Sequence, residues 1–134
     1  MFLAAIGHDV GHPSTNNAYS IRTSDSLSIL YNDKSVLENH HISLFFQILR
    51  QEKANVFLNF NKEEFDYCWS FIIDSILKTD MAYHMQICED FRKKTIKFEK
   101  EDKVFDFKNK ELKANLASVL IHAADIGSAG LGFD

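Results

Sequence analysis

Apolar residues recur at helical spacing through most of this chain and nowhere alternate convincingly with polar ones. From Ser35 to about Glu52, Leu37, His41, Leu44, Phe45, Ile48 and Leu49 fall on one face of a helix. The same period predicts a helix over 61–78, through Phe65, Trp69, Ile72, Ile73, Ile76 and Leu77, and another over 80–99, through Met85, Cys88, Phe91 and Ile96. A polar break at Glu99–Asp102 precedes a last helix from about Asn109 to Ala124, carrying Leu112, Leu116, Val119, Leu120 and Ala123. Shorter helical pieces are expected at 2–6, 15–23 and 26–32, the last behind Asp25 or Ser24 as cap. The first piece reads as the closing turns of a helix that begins earlier, poorly nucleated as it stands. Ser35-Val36-Leu37-Glu38 fits a capping box, with Asp33 a competing cap. The class is all-α with moderately short loops.

Composition sharpens this picture. The interval from Ser14 to Ile126 contains neither Pro nor Gly, so nothing in it obliges a helix to stop. Gly11 and Pro13 instead punctuate a loop over residues 9–14. Twelve Phe imply bulky packing between helices. At 134 residues the chain is one domain at most. A net charge of −4 argues against general nucleic-acid binding, and no apolar run is long enough to span a membrane. Cys68 and Cys88, without CxxC spacing, read as reduced thiols of a cytosolic or nuclear-type compartment.

The chemistry concentrates in His8-Asp9-Val10-Gly11-His12-Pro13. An adjacent His-Asp pair offers a metal one nitrogen and one carboxylate oxygen, and a distant acid, Asp125, can close the site in three dimensions. That set suits Zn²⁺ or another first-row ion, with Mg²⁺ or Mn²⁺ able to share the carboxylate. The plain alternative is a capping Asp beside a surface His. Glu38 and His41 stand three apart and share a helical face at the edge of the apolar stripe. Each also has a structural reading, Glu38 in the capping box and His41 as a satisfied core histidine. His122, three before Asp125, reads as a supporting core residue and His84 as solvated or structural. Arg92, Lys93, Lys94, Lys97 and Lys100 make a basic face best read as solvated.

Taken together, the motifs carry a resemblance. The His8–Pro13 run followed by Asn16-Asn17-Ala18-Tyr19 resembles the metal-binding segment of the class I 3′,5′-cyclic nucleotide phosphodiesterases. Leu30–His41, ending Leu37-Glu38-Asn39-His40-His41, is similar to that family's next signature. Thr79-Asp80-Met81 and Ile121-His122-Ala123-Ala124-Asp125-Ile126 resemble two more, in the family's order. The resemblance implies a compact multi-helix bundle of the HD type, of which 1–134 is the middle portion of a catalytic domain. It implies His8, Asp9 and Asp125 as ligands of a tightly held metal, usually zinc. Asp9 would bridge to a second ion, usually magnesium, with manganese a substitute. His12, Glu38, His41 and Thr79 would hold waters or the hydroxide around the metals, and Met81 would line the substrate pocket. The implied reaction is hydrolysis of cAMP or cGMP to the 5′-monophosphate. The implied partners are the cyclic nucleotide and the remainder of the domain, in the cytoplasm or at the cytosolic face of a membrane.

Departures from the family pattern bear on activity. The upstream HNxxH motif, with its general-acid His and a metal-ligand His, is absent from the seven residues before His8. The purine-binding Gln and base-clamping aromatic are absent from the nine residues after Asp125. This chain alone is therefore expected to be inactive and poorly stable, with helix faces left exposed. Ser128 and Ala129 replace an Asn-Pro whose Asn lines the nucleotide site, which places Ser128 at the pocket. Ser14 replaces a Gly, and a side chain there is expected to strain the loop that carries His12. Two other readings stand beside the leading one: another HD-type nucleotide phosphohydrolase, and a non-catalytic remnant that binds metal or a protein partner.

Overall fold

The computed structural model describes residues 1–100 and 108–127, and every regular element among them is helical. The α-helices are α1 (Phe2–Gly7), α2 (Asn17–Thr23), α3 (Ser26–Leu30), α4 (Val36–Leu49), α5 (Lys62–Leu77), α6 (His84–Lys100) and α7 (Lys110–Gly127). Short 3₁₀ turns occupy Glu52–Ala54 and Met81–Tyr83. The chain divides into two compact units, one ending at Leu77 and one beginning at Lys78.

The first unit is organised around α4. Both α1 and α4 pack on α5, while α2 and α3 lie against α4. The expected stripe is where the core forms: Leu37, His41, Phe45 and Leu49 are buried, joined by Val36, Ile42 and Phe46. The phenylalanines do the predicted packing. Phe46 of α4 stacks on Trp69 of α5 with ring centroids 3.5 Å apart; Phe65 lies tilted beside Trp69, and Phe57 meets Phe65 edge-on. Gly7 is required by closeness: a Cβ there would lie 2.5 Å from Phe45 Cδ1.

Caps explain where these helices start. Asn16 Oδ1 accepts from Tyr19 N–H to open α2, and Asp25, of the two candidates, accepts from Ser28 N–H to open α3. That bond holds the Asp25 carboxyl below its ordinary range. At Asn61 and Glu64 each side chain accepts the other's backbone N–H, a complete capping box at the head of α5. The box expected at Ser35 and Glu38 is not formed. Ser35 has φ +42 and makes no side-chain capping bond, and Leu37 N–H is taken instead by Asn17 Oδ1 at 2.9 Å.

In the second unit, α7 is capped by Asn109, which accepts from Leu112 N–H. Ile87 and Phe91 of α6 face Leu112, Leu116 and Val119 of α7 across a cavity of about 340 Å³. The stripe predicted on α6 is otherwise not a core face: Met85 is 77% exposed, and Cys88, Phe91 and Ile96 are also exposed. The helical period is right, but α7 covers only part of the stripe. The helix reaches Lys100, so the polar break begins no earlier than that, and its remainder lies outside the described residues.

Candidate metal centre

The loop after α1 and the buried face of α4 bring three predicted residues together. Asp9, His12 and His41 each offer a ligand atom within 4.8 Å of the others. Gly11, at φ +72, lets the loop fold back against α4, because a Cβ there would lie 2.4 Å from Leu44 Cδ2. Ser14 does adopt the strained conformation expected of a Gly position, with φ +64, and its N–H donates to His12 Nδ1 at 3.0 Å.

Hydrogen bonds assign a role to each imidazole nitrogen. His41 Nδ1 lies 2.9 Å from the Val10 carbonyl, an acceptor only, so Nδ1 carries the proton. Burial pushes the His41 pKa below its ordinary value, outweighing the Val10 carbonyl and the Asp9 carboxylate, which act in the other direction. The ring is therefore neutral near pH 7, and its Nε2 lone pair faces Asp9 Oδ1 at 3.7 Å. Two acceptors turned toward each other at that separation call for a cation or hydrogen-bond donors between them. His8 Nδ1 likewise donates to the Ala5 carbonyl at 2.7 Å, which turns the Nε2 lone pair toward Asp9 Oδ2 at 3.8 Å. His12 is the opposite case. Its Nδ1 accepts from Ser14, so Nε2 bears the hydrogen in the neutral ring. The ring stacks on His41 with centroids 5.5 Å apart. The Nε2 lone pairs of His8 and His41 with the Asp9 carboxylate, rather than the engaged His12 ring, make a donor set that fits a divalent ion.

Glu38 sits one turn before His41 on α4, its Oε2 accepting from Asn17 Nδ2 at 3.0 Å. Thr79, buried, and Met81, exposed, flank Asp80, whose carboxylate accepts from Ala82 N–H. These residues and Asp125, exposed near the end of α7, belong to the second unit; Ser128 lies outside the described residues. His122 is buried, as expected of a supporting residue, with its Nε2 2.9 Å from His84 Nδ1. That pairing gives His84 a structural role as well. Sequence reasoning missed Asn17, although it stood in a quoted motif, because its partners lie twenty and twenty-one residues away.

The model of the 3′5′-cyclic nucleotide phosphodiesterase family matches residues 1–133. The chain belongs to that family. It is 41% identical over 134 residues to the dual 3′,5′-cyclic-AMP and -GMP phosphodiesterase beta of Plasmodium falciparum, covering 99% of this chain and 11% of that protein. It is 38% identical over 128 residues to the human high affinity cGMP-specific 3′,5′-cyclic phosphodiesterase 9A, covering 96% of this chain and 20% of that protein. Among solved structures, the phosphodiesterase domain of a RhoPDE fusion protein from the choanoflagellate Salpingoeca rosetta superposes with a TM-score of 0.82 at 35% identity. That match covers 92% of this chain and 38% of the other. The chain thus spans about a fifth or less of the two curated relatives and just over a third of the solved domain. Family membership favours the phosphodiesterase over the general HD phosphohydrolase reading.

Proposed function

We propose that this chain forms the metal-holding segment of a catalytic domain that hydrolyses 3′,5′-cyclic nucleotides, cAMP, cGMP or both, to 5′-monophosphates. The observation that carries the reading is the pair of acceptors, His41 Nε2 and Asp9 Oδ1, facing each other beside His8 and His12. His8, Asp9 and Asp125 would hold a Zn²⁺ ion, and Asp9 would share a second ion, Mg²⁺ or Mn²⁺. Divalent ions so held supply positive charge to the phosphoryl oxygens and lower the pKa of water.

The chain's own residues then have separate tasks. Asp9 concentrates negative charge where the metals would be held. His12, with its hydrogen on Nε2, donates toward an oxygen in the site. His41 stays neutral because it is buried, and so offers a lone pair rather than a competing positive charge. Glu38 and Thr79 offer acceptors to the water shell of the second ion, a role suited to Mg²⁺, which dehydrates reluctantly. Met81 and Ser128 would contribute to the nucleotide pocket. The remainder of the catalytic domain would supply the general acid for the leaving 3′ oxygen and the wall that recognises the base.

Binding of Mn²⁺ to the chain, followed by electron paramagnetic resonance, and cyclic nucleotide turnover by the full-length protein test this together. Asp9→Asn is expected to weaken Mn²⁺ binding at least about tenfold, and Asp125→Ala to abolish turnover. Full activity of Asp125→Ala at saturating Mg²⁺ would refute the ligand assignment. Metal binding without turnover by the full-length protein would favour a non-catalytic role.

A further inference from the structure

Asn17 makes two hydrogen bonds that join α2 to α4. Its Oδ1 accepts from Leu37 N–H at 2.9 Å, and its Nδ2 donates to Glu38 Oε2 at 3.0 Å. Both partners are single-minded: a backbone N–H can only donate and a carboxylate can only accept. The network therefore admits one orientation of the amide, and an ionised acid or an apolar side chain at this position could not satisfy both. Leu37 N–H is one of the orphan donors in the first turn of α4, and Ser35, in a left-handed conformation, does not cap it. A residue from another helix has taken over the cap and, with the other end of the same amide, holds the acid one position further on.

We infer that Asn17 is a positioning residue for Glu38 at the metal centre. The inference rests on the metal-centre reading above. Glu38 is a long side chain with several rotatable bonds, and Nδ2 of Asn17 anchors one of its oxygens. Asn17 lies four residues beyond Pro13, so the anchor ties α4 to the segment that carries Asp9 and His12. The Val10 carbonyl, held by His41 Nδ1 at 2.9 Å, ties the same helix to the same loop one turn further along. Between them, the two ties set the register of Glu38 and His41 against Asp9. Asn17 touches neither metal nor substrate in this scheme; it acts through the carboxylate it holds.

The test uses the full 134-residue chain, with Mn²⁺ as the probe. Mn²⁺ binding is measured by electron paramagnetic resonance well below the unfolding temperature, and thermal unfolding is measured separately in chelator. Asn17→Ala removes both bonds. Asn17→Asp keeps an acceptor for Leu37 N–H but sets a like charge against Glu38, and it carries the test should Asn17→Ala fail to fold. Both are expected to weaken Mn²⁺ binding about tenfold, as is Glu38→Gln. A residue that merely caps α4 would give a different pattern: a lower Tm for Asn17→Ala with unchanged affinity, and wild-type affinity for Asn17→Asp. That pattern, with Glu38→Gln and Asp9→Asn still weakened, overturns the inference and leaves the metal centre standing. Unchanged Mn²⁺ binding in Asp9→Asn as well overturns both.

Discussion

Gly7→Ala should destabilise the chain, although Ala is the better helix former. Gly7 is buried at the end of α1, and an added Cβ would lie 2.5, 2.6 and 2.8 Å from Cδ1, Cγ and Cε1 of Phe45. Ordinary carbon–carbon contact is about 3.5–4.0 Å, so the two helices must part by roughly 1 Å or the ring must turn. The ring has little room, since Phe45 is 5% exposed and packs beside Phe46. Overpacking of this kind costs about 1–3 kcal/mol, whereas the gain in helix propensity is at most about 1 kcal/mol. The clash is expected to win, by up to about 2 kcal/mol when the full propensity gain is set against it. Equilibrium urea unfolding followed by circular dichroism reads the difference as a lower midpoint at unchanged slope. Ala5→Gly, at an exposed position of the same helix, isolates the propensity effect and should cost no more than about 1 kcal/mol. Because Gly7 immediately precedes His8 and Asp9, Mn²⁺ affinity should fall alongside stability. A midpoint for Gly7→Ala equal to or above that of the unsubstituted chain would show the packing argument to be wrong.

Ser14→Gly should stabilise the chain by about 0.5–1 kcal/mol, because relief of a left-handed side chain exceeds the entropy Gly adds to the unfolded state; an unchanged or lower urea midpoint would count against stored strain at φ +64. Stability in chelator should decline as the pH falls below 6.5, the ordinary value for His41. Because burial lowers the folded-state pKa, the unfolded chain takes up the proton first, and stability is lost from 6.5 down through the lowered value. His41→Gln should flatten that part of a Tm-against-pH curve, and an identical slope in the variant would refute the assignment.

How much of this was legible depended on what each segment packs against. Helices α4, α5 and α7 could be read from their apolar period, and α5 and α7 begin behind Asn61 and Asn109, where those side chains cap them. The stretch from Ser14 to Ser35 was harder. Its turns are made by Ser14, Ser24, Asn32, Asp33 and Ser35 at positive φ, without the glycines that usually announce them. On α6 the period identified a helix but not what it faces, because periodicity records a stripe and not its partner. At the candidate metal centre, the motifs singled out His8, Asp9 and Asp125 as ligands with His12 and His41 around them, whereas the structure brings Asp9, His12 and His41 together. The protonation pattern was not legible, since it depends on Val10, Ala5 and Ser14 backbone groups that no motif encodes. Nor was the amide of Asn17, whose importance comes from a contact between helices rather than from spacing along one.

The stack of Phe46 on Trp69 has a practical consequence. Trp69 is the sole tryptophan of the chain, and its stacking partner lies on α4, the helix that also carries Glu38 and His41. Indole emission excited at 295 nm therefore comes from one place, where that helix seats on α5. A red shift on addition of chelator, or after a substitution near Asp9, would signal that α4 had lifted from its bed. The chain carries its own optical gauge of whether the helix beneath the candidate metal centre is in position, with no label attached.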